Sequence, residues 1–257
     1  WTYFFGNGNA EGKGDMKSLL GGKGAGLAEM TGLGLPVPAG FTVTTEACSW
    51  FFEHDRQWPE GLDAQINDAV ARLESETGKA FGDAEAPLLV SVRSGAAVSM
   101  PGMMDTVLNL GLNDETVVVL ANNSGNAKFA WDSYRRFVQM FGDVVLGIHF
   151  TRFSKAQEAF CGERRVEDLD ATELEALTGE LKSVISQAGH DFPQDPRAQL
   201  TLAINAVFNS YNSHRARYYR KTQGIPDTAG TGVNVQAMVF GNMGEGSATG
   251  VAFTRNP

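Results

Sequence analysis

Cysteine, histidine and long apolar runs are scarce in this sequence. Its 257 residues include two cysteines, Cys48 and Cys161, and four histidines, with no CxxC or Cys/His spacing that would predict zinc. The cysteines are predicted to be free thiols in a reducing, cytoplasmic compartment. No apolar stretch approaches transmembrane length and no secretory leader pattern is present, so we expect no membrane contact.

Basic residues are also fewer than acidic ones. Lys and Arg number 21 against 30 Asp and Glu, which gives a net charge of −9. Proteins that bind nucleic acids or anionic membranes over a broad face carry an excess of basic residues. The composition therefore argues against both partners, although it allows a small cationic pocket.

Glycine, by contrast, makes up 30 of the 257 residues, well above the average usage of about 7%. The glycines cluster in residues 21–34, 95–111 and 230–250, which predicts functional loops rather than one flexible linker. The length suits one large domain or two small ones. Because the chain stops at residues 254–257, directly after a strand-like run, we expect it to be part of a longer protein.

The most informative segment is residues 88–112. Residues 88–92 are apolar and β-branched, which predicts a buried strand, and Arg93 follows at its end. Residues 96–105 are rich in small residues and methionine, as expected of a movable cover, and residues 106–110 resume a strand. An arginine at the end of a buried strand needs a negative partner. An anion site and an ion pair with a core carboxylate explain it equally well.

A second candidate anion ligand is Lys23, in a glycine-rich segment. The pattern predicts a loop at residues 20–23 and a helix at residues 24–31. Backbone N–H groups at a helix start, together with a lysine, favour anions. The segment is neither a Walker A loop, since Gly24 stands where Ser or Thr is required, nor a GxGxxG motif. Taken alone, it is more typical of a structural turn.

The remaining elements are predicted from periodicity and capping residues. They are an edge strand at 1–5, a strand at 41–43, a helix near 46–54 capped by Thr44 or Thr45, a helix at 62–77, and helices between 113 and about 215. Thr172 and Glu175 fit a capping box, and Asp195 followed by Pro196 fits a helix start. On these helices, Arg135 and Arg136 are predicted to be solvated or salt-bridged. A cleft-facing position for one of these two is the alternative. The cluster Arg215, Arg217, Arg220 and Lys221 is predicted to be a solvated face.

The last part of the chain alternates apolar and polar residues over 232–240, which predicts a half-buried strand. A glycine- and hydroxyl-rich turn at 241–250 leads to a further predicted strand at 251–254. Such a turn is able to lay backbone N–H groups over a phosphate chain. A plain hairpin is the alternative that the pattern by itself favours.

Three motifs now coincide in order: LGGKG at residues 20–24, SVRSG followed by SMPGMMDT within residues 91–106, and GVAFTRNP at residues 250–257. Together they closely resemble the N-terminal nucleotide-binding domain of the pyruvate, phosphate dikinase family, an ATP-grasp-like domain. The resemblance runs through essentially the whole chain, including residues 41–48 and 132–137. Related phosphoenolpyruvate synthases and antibiotic phosphotransferases usually lack the Met-Pro-Gly-Met-Met segment.

The resemblance implies an α+β fold in which ATP lies between two lobes. It assigns residues 1–112 and 197–240 to the first ATP-binding lobe, residues 113–196 to an inserted helical subdomain, and residues 241–257 to the start of an incomplete second lobe.

The resemblance also implies a set of site residues. Lys23 and Arg93 would hold the ATP phosphates as the catalytic cations. Two segments would cover the phosphates through backbone N–H groups: a cover with Pro101, Gly102, Met103, Met104 and Asp105, and the glycine-rich turn with Gly246, Ser247, Thr249 and Gly250. Four consecutive residues would meet adenine: Gln236, Ala237, Met238 and Val239. Gly22 and Thr106 complete the implied binding residues.

The implied reaction interconverts ATP, pyruvate and phosphate with AMP, phosphoenolpyruvate and pyrophosphate. It would need a swivelling phosphohistidine domain, a barrel domain for pyruvate and phosphoenolpyruvate, and Mg²⁺ bound by acidic residues beyond Pro257, and the full-length protein would be a homodimer. None of the four histidines here matches the carrier histidine. Two alternatives stay open: a phosphoenolpyruvate synthase or related phosphotransferase, and a non-catalytic nucleotide-binding or docking module.

Overall fold

The computed structural model describes residues 1–227, 230–244 and 246–252. The strands are β1 (Thr2–Gly6), β2 (Asn9–Ala10), β3 (Gly40–Val43), β4 (Val90–Gly95), β5 (Thr106–Leu110) and β6 (Gly232–Ala237). The helices are α1 (Lys17–Gly32), α2 (Thr45–Glu53), α3 (Leu62–Thr77), α4 (Thr116–Ser124), α5 (Ala127–Met140), α6 (Phe150–Cys161), α7 (Ala171–Gln187), α8 (Pro196–Tyr211) and α9 (His214–Gln223). A π-helical turn (Phe141–Val145) and a 3₁₀ turn (Val166–Asp168) complete the elements.

The strands form one antiparallel sheet, which confirms the α+β class. Its order is β2-β1-β3-β6-β4-β5. The sixth strand in the chain thus lies between β3 and β4, with Val235 paired to both Phe41 and Val92. Because β6 has a hydrogen-bonded neighbour on each side, the last described strand closes the centre of the sheet. None of the helices in the described residues is long and apolar enough to cross a membrane.

The two faces of the sheet differ in character. One face carries apolar side chains such as Phe41, Val92 and Val235 and packs against α2, α3 and α8 in the main hydrophobic core. The opposite face carries polar side chains such as Thr42, and α1 packs on it. A Cβ at Gly24 would lie 2.8 Å from Thr42 Oγ1, so glycine lets the helix approach this polar face.

The hydrophobic core continues from the sheet into the helices that follow β5. Phe137, Phe141 and Phe192 form an edge-to-face cluster there, with ring centroids 5.5–5.6 Å apart. The helical character of residues 113–215 is confirmed, whereas the division of the chain into lobes stays a prediction.

The predicted loop at residues 20–23 is wrong. Helix α1 starts at Lys17, and the loop reduces to one non-helical residue, Gly21, with φ 70° and ψ 168°. At this kink the helix meets the end of β4, where a Cβ on residue 21 would lie 1.4 Å from Gly95 O. Contact with the sheet thus replaces an independent loop by a kinked helix.

Helix capping is partly as predicted. Thr44 accepts a hydrogen bond from the Ala47 N–H and is the cap of α2, and Asp195 caps α8 with Pro196 next to it. The predicted capping box at residues 172–175 is wrong, because Asp170 and Glu173 form it instead. Both sets of side chains fit the motif, and Ala171 already belongs to the helix.

Strand β6 differs from the half-buried strand predicted at residues 232–240. It ends at Ala237, and its polar residues are buried, with Asn234 0% and Gln236 5% exposed. The covering helix α1 explains this, since it shields the polar face. Residues 238–244 and 246–252 form no strand, so the predicted hairpin is absent from the described residues, and the predicted strand at 251–254 falls partly outside them.

The predicted solvated position of Arg220 is also wrong. Its side chain is fully buried, donates to Asp227, to the Tyr211 carbonyl and to Asn212, and lies over the Tyr211 ring. This arginine therefore joins α8, α9 and the segment that follows. Arg135 is buried as well and forms a salt bridge with Asp132, which confirms the predicted ion pair.

We expect the Gly21→Ala variant to be strongly destabilised. Backbone strain of the kind found at this φ costs about 1–3 kcal/mol, and overpacking adds about 1–3 kcal/mol. Denaturant unfolding should therefore show a loss of about 3 kcal/mol or more. The matched control is Gly26→Ala in the same helix, where no heavy atom lies within 4 Å of the added Cβ and alanine is favoured by up to about 1 kcal/mol. Equal stabilities of the two variants would contradict the account of the kink.

Candidate functional site

The start of α1 lies directly against the end of β4. The Gly22 N–H donates to Ala96 O at 2.9 Å, and the Lys23 Nζ donates to Ser94 O at 2.8 Å. Lys23 is thereby fixed beside the residue that follows Arg93 in β4. The two predicted cations, 70 residues apart in the sequence, lie at the same end of one strand.

Arg93 projects from the polar face of the sheet, opposite Thr106 on one side and Asn234 on the other. Its Nη2 donates to Gln236 Oε1. Its Nε and the Asn234 Nδ2 are buried and have no acceptor among the described residues. Neither Arg93 nor Lys23 has a carboxylate within salt-bridge distance in the described part of the chain. The core-carboxylate alternative for Arg93 thus finds no support in these residues.

The electrostatics of the pair follow from this arrangement. Partial burial, followed by the positive charge of Arg93, lowers the pKa of the Lys23 ammonium. Burial also lowers the pKa of the Arg93 guanidinium. Each shift shows that positive charge is unfavourable here without a counter-ion, and a bound anion would relieve the disfavoured charge of both groups.

A cavity of about 720 Å³ opens beside Lys23 and Ser94, the residue that follows Arg93. Arg93 itself is not part of its wall in the described structure. Its wall is made by Lys17, Gly22, Lys23, Ser94, Gly95, Ala96, Ala97, Ser99, Met100, Pro101, Gly102, Met104 and Thr106. It brings together two of the three glycine-rich segments that the sequence singled out, residues 21–34 and 95–111. Most of the predicted cover residues line it, so the structure places them together, and their function stays a prediction.

Sequence reasoning missed Lys17, the first residue of α1. On an uninterrupted helix, six residues turn through about 600°, which would point Lys17 and Lys23 about 120° apart. The kink at Gly21 breaks that regularity, and both lysines line the same cavity. A lysine so far from the glycine motif gave no sequence signal, because its position depends on the kink.

The predicted cover is anchored at its far end by α9. Arg215 donates to Met103 O at 3.1 Å and forms an ion pair with Asp105, whose own N–H donates to Ser210. The Asp105 carboxylate is therefore engaged by Arg215 on the side of the cover that faces α8 and α9. Burial raises the pKa of Asp105, while Arg215 opposes that shift.

A second, apolar cavity of about 480 Å³ lies at the end of β6. Ala237, Met238 and Val239 line it, together with residues from the loop before β3 and the segment before β4. The Ala237 and Met238 N–H groups are already bonded, to Ala39 O and Leu89 O. The predicted adenine residues thus share one cavity, except that the Gln236 side chain is turned to Arg93 and to Pro38 O.

The glycine-rich turn is the part of the predicted site that is not brought to the cationic cavity. Gly246, Ser247, Thr249 and Gly250 are absent from the walls of both cavities in the described structure. Residues 248–249 pack instead on Gly241, where an added Cβ would lie 2.5 Å from Thr249. Any contact of this turn with a ligand stays a prediction.

A cationic cavity and an apolar cavity of ligand size on one antiparallel sheet are features of an α+β nucleotide-binding domain. The chain belongs to the family described as pyruvate phosphate dikinase, AMP/ATP-binding domain, whose profile matches residues 17–57 and 54–257.

Relatives of known name show the same affiliation over the whole chain. A pyruvate, phosphate dikinase of Rhizobium meliloti (strain 1021) is 54% identical over 261 residues, and one of Clostridium symbiosum is 53% identical over 262 residues. Pyruvate, phosphate dikinase 2 of Zea mays is 54% identical over 260 residues. These alignments cover 100% of this chain but only 29%, 30% and 29% of the relatives. The chain therefore spans less than a third of their length.

We expect Arg215→Ala to loosen the cover. The variant loses the hydrogen bond to Met103 O and the ion pair to Asp105, worth roughly 0.5–1.5 kcal/mol at a part-exposed site. Amide hydrogen exchange of residues 100–106 should become several-fold faster. Arg217→Ala, an exposed position on the same helix, is the control. Identical exchange in both variants would show that α9 does not hold the cover.

Proposed function

We propose that this chain binds ATP, with the triphosphate in the cationic cavity. The observation that carries the proposal is the pair of adjacent cations, Lys23 and Arg93, held without a carboxylate among the described residues. The planar fork of arginine suits two phosphate oxygens and lysine adds a compact charge. A cover over both excludes water, which strengthens their interaction with phosphate.

The apolar cavity is proposed to hold the adenine. Its volume of about 480 Å³ falls in the range of roughly 300–1,000 Å³ that is usual for small-molecule sites. The hydrogen bonds of Ala237 and Met238 leave the Val239 N–H as the next donor of the segment, without an acceptor among the described residues. That amide is proposed to donate to the base.

We further propose the finer architecture and the reaction. The domain would be the first lobe of an ATP-grasp-like unit, with residues 113–196 as a helical insertion and residues 241–257 as the start of the second lobe. The reaction would be that of a pyruvate, phosphate dikinase, with a swivelling phosphohistidine domain and a pyruvate/phosphoenolpyruvate barrel outside this chain. The two relatives of Rhizobium meliloti and Clostridium symbiosum are pyruvate, phosphate dikinases, which supports the proposed reaction.

Several accompanying properties belong to the same proposal. A homodimeric full-length protein follows from the family resemblance, and two buried free cysteines suit the proposed cytoplasmic location. Mg²⁺ would arrive with ATP. Residues 1–227, 230–244 and 246–252 hold no group of three or more His, Cys, Asp or Glu placed to bind a metal. The described residues therefore do not fit the ion, and we derive no step through it.

The dikinase is favoured over the other two functions. The relatives reported above carry that name, and the family profile is that of an AMP/ATP-binding domain. A phosphoenolpyruvate synthase would use water as the acceptor in place of phosphate, so formation of pyrophosphate by the full-length protein distinguishes the two enzymes. A docking module that binds no nucleotide would supply no anion to Lys23 and Arg93, so the presence of these two cations argues against that function.

Removing the arginine tests the phosphate site. Hydrogen bonds to charged groups contribute about 1.5–3 kcal/mol, so Arg93→Ala should weaken Mg-ATP binding about 10- to 100-fold. Arg93→Lys should recover only part, because lysine lacks the planar fork. Calorimetric titration of each variant with Mg-ATP and with adenosine measures the two affinities. Unchanged ATP affinity in Arg93→Ala would remove this residue from the site.

The position of Lys17 gives a second test of the same cavity. Lys17→Gln should weaken binding of ATP several-fold, and of AMP less, since loss of one exposed cation beside a polyphosphate costs roughly 0.5–1 kcal/mol. The matched control is Lys13→Gln, an exposed lysine nearby that lines neither cavity. Equal effects of the two substitutions would mean that Lys17 contributes only to net charge.

A further inference from the structure

Gln236 is the one side chain that bonds to Arg93 in the described residues, and it is 5% exposed. Its Oε1 accepts from Arg93 Nη2, and its Nε2 donates to Pro38 O at 2.9 Å. Arginine offers only donors and a carbonyl only acceptors. An uncharged amide is the group that satisfies both at once, and only in this orientation.

We infer that Gln236 is a positioning residue that fixes the orientation of the Arg93 guanidinium while leaving its positive charge uncompensated. The inference rests on the proposed function, in which that charge meets phosphate. A carboxylate at this position would orient the guanidinium equally well but would neutralise it, and would place an anion against Pro38 O. An apolar side chain would leave the charge intact and the guanidinium unrestrained.

The Gln236 side chain also connects the surroundings of the two cavities. Pro38 lines the apolar cavity, and Arg93 lies beside the cationic one. The sheet adds to this connection, because Gln236 lies opposite Gly40 in β3 and Ser91 in β4. Gln236 therefore acts at the boundary between the proposed adenine and phosphate sites and does not itself contact the base.

Two substitutions separate charge from orientation. Gln236→Glu should weaken Mg-ATP binding at least tenfold and make it less sensitive to salt, because Arg93 is neutralised. Gln236→Met should weaken ATP binding less and keep the salt sensitivity. Both variants should bind adenosine as the unchanged chain does. Titration calorimetry at two ionic strengths, with thermal unfolding alongside, gives these values.

The chain offers a matched control in Gln139, which accepts a hydrogen bond from Arg135 Nη1 at 3.2 Å. Gln139→Glu adds the same charge beside an arginine that lines neither the cationic nor the apolar cavity. It should leave ATP and adenosine binding unchanged. A loss equal to that of Gln236→Glu would reduce the effect to net charge and overturn the inference.

A ligand-free measurement keeps the test independent of ATP binding. Arg93 depresses the pKa of Lys23, so neutralising Arg93 in Gln236→Glu should raise that pKa, whereas Gln236→Met and Gln139→Glu should not. The pH dependence of Lys23 acylation, followed by mass spectrometry, reports it. If the unchanged chain binds no ATP, the proposed function fails and this titration still decides on Gln236.

Besides an equal loss in the Gln139→Glu control, two results would overturn the inference. One is an unchanged Lys23 titration and unchanged ATP binding in Gln236→Glu. The other is an equal loss of ATP and adenosine binding in both variants together with a lowered unfolding temperature, which would make Gln236 a purely structural residue.

Discussion

The close backbone approach between the start of α1 and the end of β4 is the contact on which the rest of the site depends. Gly21 has no side chain, so it reaches Gly95 O, and Gly22 and Lys23 then bond to Ala96 O and Ser94 O. A helix and a strand are thereby joined at their ends, with their polar groups satisfied by each other. The cationic cavity is a consequence of this junction, since it opens where the two elements meet.

The junction brings like charges together, which is unfavourable for the folded chain by itself. Burial lowers the pKa of both Lys23 and Arg93, and the positive charge of Arg93 lowers the pKa of Lys23 further. The fold tolerates the pair because neutral groups, Ser94 O and Gln236 Oε1, accept their hydrogen bonds. Carboxylates are used elsewhere: Asp105 is engaged by Arg215 and Asp227 by Arg220. A negative charge placed beside the pair would relieve this unfavourable interaction.

Much of the fold was readable from the sequence because it rests on local signals. The strands around Arg93, helix α3, the caps Thr44 and Asp195, and the helical character of the middle of the chain all follow from periodicity and capping chemistry. The capping box lies two residues before its predicted position, because two sets of side chains fit the same motif. The burial of Arg220 and of the polar face of β6 gave no local signal, since both depend on elements distant in sequence.

The sequence by itself determined which residues have the chemistry of a nucleotide site: a lysine among glycines, an arginine at the end of a strand, and a cover of small residues and methionine. The tertiary structure alone decided how they are used. The kink in α1 places Lys17 and Lys23 in the wall of one cavity. Asp105 bonds to Arg215, and the Gln236 side chain bonds to Arg93 instead of lining the apolar cavity. The physical reason is that side-chain type is a local property. Partners and orientation, in contrast, are set by contacts between residues far apart in the sequence, such as the hydrogen bond from Gln236 to Pro38 O, which spans 198 positions.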